Sequence, residues 1–341
     1  MTTEPVTLAD VARRAAVSRA AASFVLNDRH QMRIAEGTRQ RVLQAAAELG
    51  YRPNRIAQSL RSSTTHTIGL ISDTIASGEL AGDMIRGALD EARGHQHLLF
   101  IAETCGDQSI EQATAEGMID RRVDGIIYAA GSTRRITLPD ALRTHPVVLL
   151  NCLTTEFPAP TVIPDEYAAG RDAARLLLEA GHRDGIYVIG GHHLTDQTPQ
   201  GVYAGHERMR GIQQKLREAR IRLAGVAECA WHAPEYGYRE TRALLASGRR
   251  PEALICCNDR IAMGAYQALA ESGYTAGVDV SVVSFDNSEL AAWLRPQLTS
   301  IALPHYELGR NAVHALLADT PQADVQRIPM PVVTRDSVRQ P

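Results

Sequence analysis

Residues 6–27, VTLADVARRAAVSRAAASFVLN, constrain this chain more than any other stretch, because they read as two short helices joined at a tight turn. Thr7 offers a hydroxyl to an orphan backbone N–H, and Asp10, three residues on, can answer back, the pattern of a helix start. Leu8, Val11, Ala12 and Ala15 then recur at helical spacing as one apolar stripe. Ser18 can cap a second helix that turns Ala22, Val25 and Leu26 inward and leaves Arg19, Ala20, Ser23, Phe24 and Asn27 outward. A third helix, Glu36 to Leu49, supplies Val42, Leu43, Ala46 and Leu49 to close a three-helix core. An alanine-rich bundle used only for packing explains these stripes equally well. The outward set of the second helix is what a recognition helix lays into a major groove.

The segment that follows, GYRPNRIAQSLRS, separates the two cases. Gly50 stops the third helix and Pro53 occupies a first-turn position, so a short helix is expected over 54–61. Isolated helices below about 12–15 residues are marginal in water, so this one should order only against something else. Its Ile56 and Leu60 share a face flanked by Arg52, Arg55 and Arg61, the chemistry of a minor-groove wedge with phosphate contacts. Charge agrees: residues 1–65 carry +5 while the rest of the 341-residue chain carries −8. A basic head on an acidic body suits phosphate binding at one end.

From Thr65 onward, short apolar runs alternate with amphipathic helices. THTIGLIS, HLLFIAE, VDGIIYAA and PVVLLNC read as buried strands, and GIYVIGG, LAGVAECA, EALICCN and VDVSVVSF repeat the rhythm. Two doubly wound parallel sheets, covered on both faces, are the expected body. Ligands in such sheets bind beyond the carboxyl ends of the strands. That rule selects Asp73, Tyr128, Asn258, Asp259 and Asp286.

Five cysteines without C-x-x-C or zinc spacing fit a reduced, cytoplasmic compartment. Neither an export signal nor an apolar run of about 18 residues is present, so no membrane partner is expected. His192 and His193 lack a third ligand at any metal spacing, and the 190–205 segment reads better as a cleft-edge loop. Gly190 and Gly191 lack a dinucleotide frame, and no G-x-S-x-G turn occurs, so no metal, no cofactor and no enzymatic activity are expected.

VTLADVARRAAVS, TRQRVLQAAAELGYRPNRIAQSLRS, RRVDGIIYA, ALICCNDRIAMGAYQAL and DVSVVSFDNSELAAWLRPQLTSIALP, in this order, resemble the lactose-repressor/galactose-repressor family of bacterial transcription factors. The resemblance implies a helix-turn-helix head (1–50), a hinge (51–64) and a body of two subdomains, 65–165 plus 303–320 and 166–302 plus 321–341, crossed near Asp165, Leu303 and Thr320. It implies DNA contacts from Thr7, Ser18, Arg19, Ala20, Ser23, Phe24, Asn27, Thr38 and Tyr51, and from Asn54, Leu60 and Arg61 in the hinge. Arg208, Asn258 and Asp286 match the family's effector contacts, and a guanidinium, an amide and a carboxylate suit adjacent hydroxyls. Trp231 adds a flat surface for a sugar, Asp73 and Tyr128 are further contacts, and Asp165 is a contact or a hinge residue. Asn258 reads equally well as a helix cap.

The implied function is a homodimeric repressor of carbohydrate-utilisation genes on a pseudo-palindromic operator, released by a mono- or disaccharide. A purine or other non-sugar effector, or a small-molecule binding protein with a degenerate head, are the alternatives. The head departs from the family pattern at Ala16, where Gly is frequent, at Ala21, Ala22 and Phe24, and at Ala35, where a Ser normally caps the third helix.

Overall fold

A computed structural model describes residues 6–26, 34–51, 64–75, 82–191, 203–320 and 322–339. Asn27, the hinge segment with Asn54, Leu60 and Arg61, and the 192–202 stretch with its two histidines lie outside them. The chain divides into two units, 1–65 and 66–341.

In the first unit, α1 (Leu8–Arg14), α2 (Arg19–Leu26) and α3 (Glu36–Leu49) enclose a small core of Val11, Ala12, Ala15, Ala22, Val25, Val42, Ala45 and Ala46. Thr7 and Asp10 form a reciprocal capping box, with the Thr7 N–H donating to Asp10 Oδ2 at 2.9 Å. Ser18 Oγ accepts from the Ala21 N–H at 3.1 Å. Ala35 makes no side-chain cap on α3, whose other end closes on a left-handed Gly50. Leu43, expected in the core, is exposed; the helical phase turns Val42, Ala45 and Ala46 inward instead.

The turn between α1 and α2 holds Ala16 at φ 52°, in the left-handed region. A Cβ there crowds the following carbonyl at about 1–2 kcal/mol, which glycine avoids at some entropic cost. Ala16→Gly should therefore stabilise the head by about 0.5–1 kcal/mol, slowing hydrogen exchange at head amides of the full chain roughly two- to fivefold. Unchanged exchange would mean that this turn carries no strain.

The second unit holds two six-stranded sheets. The first runs β11–β5–β4–β3–β1–β2 and is parallel throughout; the second runs β12–β10–β9–β8–β6–β7 with only β12 antiparallel. The first contains β1 (Thr67–Ser72), β2 (Leu98–Glu103), β3 (Gly125–Arg135), β4 (Val147–Leu153), β5 (Thr161–Pro164) and β11 (Val325–Ile328). Period-two alternation splits its core. Ile68, Leu70, Ile127 and Leu150 face α4 (Gly82–Gly94) and α11 (His305–Leu316), while Ile71, Ile126, Tyr128 and Leu149 face α5 (Gln108–Asp120). The second contains β6 (Ile186–Ile189), β7 (Gly225–Ala227), β8 (Ala253–Cys256), β9 (Ser281–Asp286), β10 (Thr299–Ala302) and β12 (Val332–Val333). It is covered by α6 (Glu166–Glu179) and α7 (Ala204–Glu218) on one face, and by α8 (Pro234–Ala246) and α9 (Asp259–Glu271) on the other. A short α10 (Glu289–Trp293) follows β9.

The chain crosses between the sheets after Pro164, after Ala302 and after Ile328. The third crossing corrects the expectation of one near Thr320: residues 325–328 pair with β5 and extend the first sheet before the chain leaves it. The short, largely exposed VQRI strand carries no apolar run that would reveal it. β2 also departs from the expected buried strand. It lies at the sheet edge, with Leu98, Phe100 and Ile101 exposed.

Candidate functional site

The cleft of the second unit is organised by a buried ion pair. Arg208, on α7, donates to Glu166, on α6, through Nε at 2.6 Å and Nη2 at 3.1 Å, while Nη1 donates to the Cys257 carbonyl oxygen at 2.5 Å. Both side chains are essentially removed from solvent, at 3% and 1% exposure. Burial alone would disfavour the guanidinium charge, but Glu166 and Asp286 hold its pKa above the ordinary value. The faces of Phe285 and Trp231 lie 4.5 and 5.3 Å from the guanidinium carbon.

Glycines bring the two helices that carry this pair to backbone contact. A Cβ on Gly170 would fall 2.1 Å from the Arg208 carbonyl oxygen, and one on Gly211 would fall 2.1 Å from that of Tyr167. A larger residue at either position would separate α6 from α7 and pull the ion pair apart.

The polar groups border a cavity of about 300 Å³. Its walls include Thr74, Gly131, Thr133, Asn151, Glu166, Arg208, Trp231, Asn258, Arg260, Asp286 and His305. Asp286 ends β9 at φ 98°, and Asn287 follows at φ 51°, a strained pair fixed from several sides. Ser300 Oγ accepts from the Asn287 N–H at 2.9 Å, and Arg335 donates to Asn287 Oδ1 at 2.7 Å. Asp286 Oδ1 lies 3.8 Å from Arg208 Nη2.

Of the sequence-selected residues, Arg208, Trp231, Asn258 and Asp286 share this cavity. Trp231 donates through Nε1 to the Gly190 carbonyl oxygen at 2.8 Å. Asn258 fills both roles read for it: Oδ1 caps α9 by accepting from the Ile261 N–H, and Nδ2 donates to the Trp231 carbonyl oxygen.

Four others are corrected. Tyr128 is buried against the α5 side of the sheet, because β3 continues to Arg135 and its cleft end falls at residues 131–133. Asp73 braces that end from beneath, pairing with Arg134 and accepting from the Gly131 N–H at 2.8 Å. Asp165 caps α6 by accepting from the Ala168 N–H at 3.0 Å; its neighbour Glu166 reaches the cavity. Asp259 stands behind the wall, accepting from Ser288 and Ser300 hydroxyls at 2.9 and 2.7 Å.

Sequence reasoning missed Glu166, Thr133, Asn151, Arg260 and His305. Asn151 is the polar residue near the end of PVVLLNC, so a strand-end search widened by two residues could have found it; it accepts from Thr133 Oγ1 at 2.6 Å. His305 opens α11, and its ring nitrogens are buried with no hydrogen-bond partner among the described residues. Burial lowers its pKa, with Asp83 pulling weakly the other way, so the ring is neutral at pH 7.

In the first unit, Thr7, Ser18, Arg19 and Ala20 are exposed, while Ser23, Phe24, Thr38 and Tyr51 are half-buried. Tyr51 packs against the small core; Phe24 is not among the residues that do.

Residues 7–54 match the lacI family of bacterial regulatory proteins, and residues 174–338 match a periplasmic binding protein-like domain. The ribose operon repressor of Haemophilus influenzae is 32% identical over 312 residues, covering 91% of both chains. The chain belongs to the lacI family of bacterial regulatory proteins. The sucrose operon repressor of Escherichia coli is 32% identical over 97% of this chain and 99% of its own. A crystal structure of the lac repressor dimer bound to operator and the anti-inducer ONPF superposes with a TM-score of 0.78 at 26% identity, covering 98% of this chain and 100% of that one.

The cleft of this lacI-family chain should report pH. Burial pushes the Asp286 carboxyl up to about 7 from its ordinary 3.8, with Arg208 opposing. A raised carboxyl supports folding fully below its unfolded value, and the support is lost as pH rises through the folded value. Asp286→Asn, which cannot ionise, should thus gain stability relative to the parent as pH rises from about 4 to about 7 in calorimetric melts. Parallel melting profiles would show that Asp286 does not titrate in that window.

Proposed function

We propose that this chain is a sequence-specific DNA-binding repressor, released from a pseudo-palindromic operator when its cleft takes up a small sugar. The observation that carries the sugar is the cavity's polar set. Asp286 and Arg208 meet on one wall beside the flat Trp231, while the opposite wall offers His305, Thr133 and Asn151. Hydroxyl groups both donate and accept, which is what a neutral imidazole with two unpartnered nitrogens can satisfy. A volume of about 300 Å³ is at the small end of ligand pockets and favours one sugar ring. Two of the relatives are named for ribose and sucrose operons. The effector acts by binding one arrangement of the body better than the other, since a ligand shifts an equilibrium only through differential affinity.

The protein works as a homodimer, with one head on each half-site. The exposed β2 edge supplies an apolar face for this pairing. Leu98 and Phe100 share one face of β2, and Phe100 borders a shallow depression lined by Ala113, Gly117, Met118 and Val123, while Ile101 is exposed on the other face. DNA contacts are assigned to the exposed side of α2, from Ser18 to Phe24, with Thr7, Thr38 and Tyr51 around it. Asn27, Asn54, Leu60 and Arg61 complete the set by family resemblance.

Phosphate contacts position the head and base contacts specify its target, so the two respond differently to mutation. Gel shifts on a palindrome selected from genomic fragments should weaken steeply with salt. Phe24→Ala should reduce specific affinity by about tenfold without changing the salt slope or the non-specific binding. Equal losses on specific and random DNA would remove Phe24 from base reading.

A thermal-shift screen of sugars and purines against the full chain identifies the effector class. His305→Phe should then weaken effector binding by roughly tenfold, the worth of two neutral hydrogen bonds, with operator affinity intact. Unaltered affinity would exclude His305 as a contact, and a purine as the sole hit would overturn the sugar assignment.

A further inference from the structure

A second cluster of ligating side chains lies away from the cleft polar set, where α4 packs on α11. Glu91 and His95 are four residues apart and share one face of α4, whose helical turn is continued by the His95 N–H donating to the Glu91 carbonyl oxygen at 3.1 Å. His314 reaches the same point from the last turn of α11. His95 Nε2 lies 3.3 Å and His314 Nδ1 3.7 Å from Glu91 Oε1, and one ligand atom from each residue falls within 4.8 Å of the others. We propose that Glu91, His95 and His314 form a site for a divalent transition metal, zinc above all.

The Glu91–His95 separation matches a metal's coordination edge, the Glu91–His314 separation is a few tenths of an ångström longer, and the ligand atoms of the two imidazoles lie within 4.8 Å of each other. Zinc bonds of about 2.0–2.1 Å in a tetrahedron place neighbouring ligand atoms about 3.3 Å apart, leaving a fourth position for water. Two imidazoles and one carboxylate select borderline cations such as zinc; magnesium and calcium require oxygen-rich cages.

The site also stands on rigid elements. A Cβ on Gly87 would fall 2.0 Å from the Tyr306 carbonyl oxygen, and one on Gly309 would fall 1.9 Å from that of Met84, so α4 and α11 meet at backbone contact. Arg310 is a cation near Glu91, and its guanidinium is held by Glu307 at 2.8 Å. The site is empty. The competing account is a pair of polar histidine–carboxylate contacts, which either ring can make neutral or protonated and which would take no metal.

Metal binding would act on the cleft through the helices themselves. Met84 near the start of α4, and His305 and Leu308 at the start of α11, line the cavity; the ligands lie about 9–17 Å further along the same helices. A bound ion would pin together the two helices that form that wall.

The test uses the full chain with any affinity tag removed and with Cys105→Ser, since Cys105 is an exposed thiol that would compete for zinc. Zinc chloride is titrated against a chromophoric chelator, and melting is followed with and without the ion. One equivalent should bind with a dissociation constant of about 10 µM or tighter and raise the melting temperature. His95→Ala and His314→Ala should each weaken binding at least about tenfold and abolish that rise, while magnesium has no effect. Absence of stoichiometric binding, or binding undiminished in both variants, would overturn the proposal.

Discussion

The cleft depends on the burial of the Arg208 guanidinium. Desolvating such a group costs several kcal/mol, which only close and well-satisfied partners repay. Here the partners are both Glu166 oxygens, the Cys257 carbonyl oxygen and two aromatic faces. Those contacts require α6 and α7 to touch along their backbones, and so require Gly170 and Gly211. Most of the guanidinium is thereby spent on the protein. Only the Nη2 edge remains turned toward Asp286, so a ligand meets a fork already oriented for it. Preorganisation of this kind lowers the ordering cost of binding.

The opposite wall is built by the same device. α4 and α11 meet through Gly87 and Gly309 as α6 and α7 meet through Gly170 and Gly211. Both helix pairs present their cleft ends to the cavity, with Met84 and His305 on one side and Glu166 and Arg208 on the other. The strained Asp286–Asn287 turn is tolerable because Ser300 and Arg335 fix it. The head has no comparable reserve: a left-handed Ala16 and an uncapped Ala35 serve a core made largely of alanine and valine.

Much of this was legible in the sequence where one local rule sufficed. The Thr7/Asp10 capping box and the Gly50 stop are contacts between near neighbours in the chain, and the structure holds both. Strand ends were legible to within one or a few residues, and the misses have physical causes. Asp165 was selected where Glu166 reaches the cavity, because the residue that caps a helix and the one that follows it point in different directions. Tyr128 was selected because the apolar run of β3 ends there, although the strand itself continues into polar residues as far as Arg135. The 325–328 strand went unseen because an edge strand with exposed side chains needs no hydrophobic run.

The sequence by itself determined the head's helices and the alternation that makes two sheets, and through the family resemblance it pointed to Arg208, Asn258 and Asp286 as a polar set. These follow from periodicity, capping and recognisable motifs, all of which act over short spans of chain. Only the tertiary structure decided that Glu166 neutralises Arg208, that burial raises the Asp286 carboxyl, and that His305 lines the cavity while its unpartnered ring nitrogens are buried. It alone brought Glu91 and His95 to His314, on a helix more than two hundred residues away. Burial and convergence are properties of packed elements, and no spacing rule along one segment can express which distant segment will pack against it.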